Sequence, residues 1–129
     1  MTVTPPLARL AEEQFVSLTT FRRSGDPVAT PVWVAREGDA LVVTTPAASG
    51  KVKRLRRDRR VELRPCSRSG KVPEGAEPVP AVAAVEPPSD ATTAALKRKY
   101  GLQYRAISTL ERLIARRGRD RVILRITAG

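Results

Sequence analysis

Histidine is missing from all 129 residues of this chain. Its absence removes the commonest general base, the Ser-His and Cys-His nucleophile pairs, histidine haem ligation and most zinc sites. Cysteine occurs once, at Cys66, so no internal disulfide can form; its place in the strand-like run Val61–Cys66 reads as a half-buried structural thiol. Aromatic residues make up only 4%, too few for an interleaved base-stacking surface. No apolar run approaches the roughly 20 residues that a bilayer span requires. The first ten residues, with Pro5 and Pro6, lack the apolar stretch of a secretory leader. A soluble, cytoplasmic protein with no membrane partner is therefore expected.

Acids are scarce as well. Thirteen Asp and Glu face 24 Lys and Arg, for a formal charge of +11. Such a balance selects anions as partners: a phosphorylated or polycarboxylated small molecule, a nucleic acid or an acidic surface. The excess is local, since residues 51–60 hold seven bases and one acid, Asp58. With no histidine, one cysteine and scattered acids, neither a protein-built metal site nor a catalytic side chain is expected. If the chain is an enzyme, a bound cofactor carries the chemistry and the protein supplies position and electrostatics.

What is present reads as one domain over residues 1–129, since 41% hydrophobic and 29% charged residues are globular values at one-domain length. Leu7, Leu10 and Ala11 have helical spacing after Pro5-Pro6 and predict a short helix ending near Gln14. Phe15–Phe21 has strand composition, and Ser24-Gly25-Asp26-Pro27 turns the chain into a second strand, Val28–Ala35. Glu37-Gly38-Asp39 turns it again into a third, Ala40–Thr45, which makes an antiparallel meander. A helix from Ser49 to about Asp58 buries only Val52 and Leu55. Val61–Cys66 is a fourth strand and Val79–Val85 a fifth, where Pro80 predicts an edge or a bulge. Ser89 or Asp90 caps a helix to about Tyr100, which Gly101 stops, and a further helix spans Tyr104–Arg117 with Gly118 as its C-cap. Arg121–Thr127 closes the chain, with Val122, Leu124 and Ile126 facing one way and Ile123 and Arg125 the other. Six strands with three or four helices are an α+β pattern.

The Ser49-Gly50-Lys51-Val52-Lys53-Arg54 segment follows a strand and opens a helix. Free backbone N–H groups, the positive end of the helix dipole and adjacent lysines together favour phosphate. A solvated basic helix is the plainer alternative. The order of elements, with Thr30-Pro31-Val32-Trp33, Ser49-Gly50-Lys51-Val52-Lys53-Arg54, Arg64-Pro65-Cys66 and Gly70-Lys71-Val72, resembles the pyridoxamine 5′-phosphate oxidase-like split β-barrel superfamily. Within it, the chain looks most like the proteins classed as deazaflavin (coenzyme F420)-dependent oxidoreductases.

The resemblance implies a six-stranded antiparallel split β-barrel with flanking helices, assembled as a homodimer whose two protomers line each cofactor groove. It implies ring contacts at Val32, Trp33, Thr44 and Thr45, and phosphate contacts at Ser49, Gly50, Lys51, Lys53 and Arg54. It also implies hydride transfer between coenzyme F420 and an unidentified conjugated small molecule, with no catalytic side chain and no metal. FMN would suit the same cradle, and a cofactor carrier without turnover would need the same residues. Trp33 is equally at home in a core, Thr44 and Thr45 are ordinary strand formers, and Tyr100 and Tyr104 read as packing residues. A nucleic-acid module is the rival class, disfavoured because no helix and short turn precede the basic helix.

Overall fold

The computed structural model describes residues 5–100 and 121–128. The elements in chain order are α1 (Pro5–Leu10), β1 (Phe15–Phe21), β2 (Pro27–Trp33), β3 (Ala35–Glu37), β4 (Ala40–Pro46), α2 (Gly50–Arg57), β5 (Arg60–Pro65), β6 (Val79–Glu86), α3 (Asp90–Tyr100) and β7 (Arg121–Thr127). The seven strands form one antiparallel sheet in the order β2-β1-β5-β6-β7-β4-β3. Its two ends, β2 and β3, are consecutive in the chain and separated by Val34 alone. The sheet is thus curled back on itself.

Six strands were expected, and the seventh arises because the second one breaks. Val34 lies between two ladders: Trp33 pairs with Phe15, whereas Ala35 pairs with Val42. The carbonyl of Val34 accepts instead from Lys99 Nζ at 2.6 Å, so the group that leaves the sheet is still satisfied. The meander is real but bent, with the first half of this strand against β1 and the second half against β4. Gly38 makes the β3–β4 hairpin possible, since the two-residue loop between the paired Glu37 and Ala40 takes φ +60° there.

The expectation of an edge at Pro80 is corrected, because β6 pairs on both sides, with β5 and with β7. Pro80 itself is opposite Glu62 of β5, and β7 stops at Thr127 opposite Val82. The proline therefore falls where β6 has one neighbour, and its missing N–H costs no ladder bond on the other side. The first helix is shorter than expected, ending at Leu10. The expected helix at Tyr104–Arg117, its Gly118 cap and the stop at Gly101 lie outside the described residues.

Two apolar clusters follow from strand alternation. Leu124 and Ile126 of β7 point into the barrel with Val16, Leu18, Leu41, Val43, Val52, Leu55 and Leu63, and Val122 packs against them. Ile123, on the opposite face of the same strand, joins Ala35, Val42 and Leu96 beneath α3. Both faces of β7 read as the sequence predicts. Val52 and Leu55 are each 1% exposed, and they are the only residues of α2 that are buried. No described helix is long and apolar enough to cross a membrane.

Candidate functional site

A groove of about 240 Å3 runs where β2 approaches β4, lined by Pro31, Val32, Trp33, Thr44, Thr45, Pro46, Lys51 and Arg121. Five of the nine expected site residues meet here: Val32, Trp33, Thr44, Thr45 and Lys51. Trp33 is half-buried and stands edge-on to Phe15, with ring centroids 6.0 Å apart and planes at 69°. One side of it packs on the cluster beneath α3 while it also lines the groove. The tryptophan is thus part of the packing and also a wall of the groove.

The polar chemistry sits at the turn from β4 into α2. Ser49 occupies the N-cap with extended backbone (φ −67°, ψ 154°), the position where a serine hydroxyl usually accepts from the helix's first turn. It makes no such bond, and Ser49 Oγ is buried without a hydrogen-bond partner. Thr45 Oγ1 is the second buried side-chain atom in that state among the described residues. Unpaired buried hydroxyls are unusual because each costs roughly 1–3 kcal/mol in lost hydration. The two lie four residues apart in the chain, at the turn that leads into α2, whose first N–H groups have no partner within the helix.

Cations flank that turn. Lys51 is half-buried, and burial, followed by the charges of Arg54 and Arg121, holds its ammonium below the ordinary lysine pKa. Arg121 enters from β7, where it pairs with Pro46, and its Nε donates to Thr44 Oγ1 at 3.0 Å. Sequence reasoning did not find Arg121 because no local pattern reveals that β7 lies beside β4, a pairing that spans some 75 residues of chain. Its only sequence signal is an arginine at the first position of an apolar strand.

Lys53 and Arg54 are placed elsewhere. With Arg22, Arg23 and Arg57 they line a separate depression on another flank of α2. Gly50 lies under Arg54: a Cβ there would come within 2.9 Å of Arg54 Nη1, which folds back over the helix start. Cys66 lies just past the end of β5, and burial, with Glu13 nearby, pushes its thiol pKa up. That is the behaviour of an inert thiol.

The groove thus sets the cations Lys51 and Arg121 beside the apolar side chains of Val32 and Trp33. Solved structures resemble the fold at low identity. A conserved hypothetical protein from Mycobacterium tuberculosis is 22% identical with a TM-score of 0.66, covering 98% of this chain and 82% of that one. The heme storage protein HutZ from Vibrio cholerae is 15% identical with a TM-score of 0.64, covering 98% and 90%. A protein named F420 reductase is 19% identical with a TM-score of 0.60, covering 92% and 90%. No curated protein matches the sequence. The family model described as pyridoxamine 5′-phosphate oxidase matches residues 7–129, and with the split, curled sheet this means that the chain belongs to the pyridoxamine 5′-phosphate oxidase family.

Proposed function

We propose that the protein is a coenzyme F420-dependent oxidoreductase acting on a conjugated small molecule. The observation that carries this reading is a pair of unpartnered buried hydroxyls at the turn into α2: Thr45 Oγ1, whose residue lines the groove with Lys51, and Ser49 Oγ, two residues before that lysine in the chain. A phosphate seated at this turn would offer acceptors to both. Its oxygens accept from the two hydroxyls and from the free N–H groups of the first turn of α2, while Lys51 and Arg121 offset its charge. Bound deazaflavin would supply hydride chemistry, two electrons at a time, which asks no side chain to act as a nucleophile. Val32 and Trp33 offer a flat apolar wall against which a ring system can be oriented and shielded from water.

FMN carries the same phosphate and is the nearest alternative, followed by a carrier that binds without turnover. Deazaflavin is preferred because its acidic tail suits a chain with a formal charge of +11. Haem, suggested by the names of two structural relatives, finds no histidine anywhere in the sequence to ligate it. We also propose that the working form is a homodimer. At about 240 Å3 the groove is smaller than the roughly 300–1,000 Å3 of a typical ligand site. A second protomer would complete its wall.

The test is a titration of the full chain with deazaflavin and FMN side by side, read by Trp33 fluorescence. Tighter binding of deazaflavin with quenching of Trp33 is expected. Lys51→Ala should weaken that binding by about 10- to 100-fold, the equivalent of one charge-assisted hydrogen bond. Binding of neither cofactor would overturn the reading, and unchanged affinity in Lys51→Ala would overturn the phosphate cradle.

A further inference from the structure

Arg22, Arg23, Lys53, Arg54 and Arg57 converge on an open depression of about 470 Å3, and none of its lining residues is an acid. Helix geometry explains the separation from the groove. On α2, Lys53, Arg54 and Arg57 share one flank, whereas Val52 and Leu55 form the buried stripe and Lys51 turns toward β4. The turn after β1 contributes the other two cations. The depression and the groove have no lining residue in common.

Two of the arginines are held in place by neutral acceptors. Arg54 Nε donates to Thr20 Oγ1 at 2.6 Å, and Thr20 is itself 1% exposed. Arg57 Nη2 donates to the carbonyl of Phe21 at 2.7 Å. Elsewhere the chain supplies carboxylates for its arginines: Asp58 takes Arg60 at 2.8 Å, and Glu37 and Glu86 take Arg125, each at 2.8 Å. Among the described residues, none of the five cations of the depression is ion-paired in this way. Arg54 is half-buried, and burial together with the nearby Arg22 charge works against its protonated form. Like charges gathered without a counterion, on side chains fixed by neutral anchors, are a cost that an incoming anion relieves.

We propose that this depression is a second anion site, independent of the groove, for a compact and multiply charged oxyanion. The shared chemistry is clustered anionic oxygens, supplied by a diphosphate-type group or by a polycarboxylate. Guanidinium forks at Arg54 and Arg57 match either one, and Arg22, Arg23 and Lys53 add charge at the rim. Convergence into one hollow favours a compact anion over a nucleic-acid backbone, which needs its cations spread along a path. This inference does not rest on the cofactor reading, since it uses other residues.

Its test starts from the Lys51→Ala chain, in which the groove has lost its lysine, titrated calorimetrically with inorganic pyrophosphate and, in parallel, citrate at low salt. Saturable binding of one anion per chain is expected, and the tighter probe identifies phosphate or carboxylate as the source. Adding Arg23→Glu and Lys53→Glu, both exposed side chains, should weaken it by at least about tenfold. No binding of either probe would overturn the proposal, as would binding that survives the added charge reversals. So would short duplex DNA binding with far higher affinity than both probes. Should the reversed variant fail to fold, amide shifts in the unaltered chain decide: pyrophosphate must perturb Arg22, Arg23, Lys53 and Arg57, and perturbation confined to Thr44, Thr45 and Lys51 would refute the site.

Discussion

Two serines at helix starts make opposite predictions from the same residue type. Ser89 Oγ accepts from the backbone N–H of Thr92 at 3.2 Å, whereas Ser49 Oγ accepts from nothing. Ser89→Ala should therefore cost about 1 kcal/mol of stability, the ordinary worth of an N-cap. Ser49→Ala should cost nothing or stabilise slightly, since it removes an unpaired buried hydroxyl, while weakening cofactor binding. Thermal melts and the fluorescence titration separate the two, and an equal loss of stability in both would refute the distinction. Position alone cannot separate these serines in the sequence, because both precede a helix. Ser49, Gly50 and Lys51 were legible as the start of a basic helix after a strand, but the unsatisfied state of Ser49 and the arrival of Arg121 depend on packing.

The elements show why some boundaries were readable and others not. Alternation gave both faces of β7, because each face is covered by a different apolar cluster. The break at Val34 had no local signal, since Val32-Trp33-Val34-Ala35 is an unbroken apolar run; the switch of partners and Lys99 create it. Pro80 misled because edge status is a property of a residue, not of a whole strand.

A polar network docks α3 on the sheet. The Thr92 hydroxyl donates to Glu37 Oε1 at 2.6 Å, Arg125 Nη2 donates to Glu37 Oε2 at 2.8 Å, and Arg125 Nε reaches Glu86 Oε2 at 2.8 Å. The Thr92 bond first, and then Arg125 against the opposing effect of burial, hold the Glu37 carboxyl below its usual range. A lowered folded-state pKa means stability that is present above the unfolded value of about 4.3 and is lost as pH falls through the folded one. Asp58, held at about 2 by Arg60, acts in the same direction. The melting temperature should thus decline below about pH 4, and Glu37→Gln should lower the neutral-pH value and flatten that decline. A wild-type curve that stays level into strong acid would contradict the role given to Glu37.

At the scale of the whole molecule, the α+β class, the strand order along the chain and the curled sheet were all reachable from alternation, turn chemistry and family resemblance. Assembly is the property that one chain does not carry. Light scattering at micromolar concentration should give twice the 14.1 kDa of a single chain, and a monomeric mass would remove the shared wall proposed for the groove. Closure through Val34 has a bearing on how the chain finds this fold. Because β2 and β3 are halves of one run, a one-residue slip of β2 against β1 would have to be matched by a slip of β3 against β4, or be absorbed entirely at Val34. Each mistake would turn Val32 out of the core on one side or Ala35 on the other. The two hairpins that meet at Val34 are therefore coupled in register through a single residue, and an error in one is felt in the other.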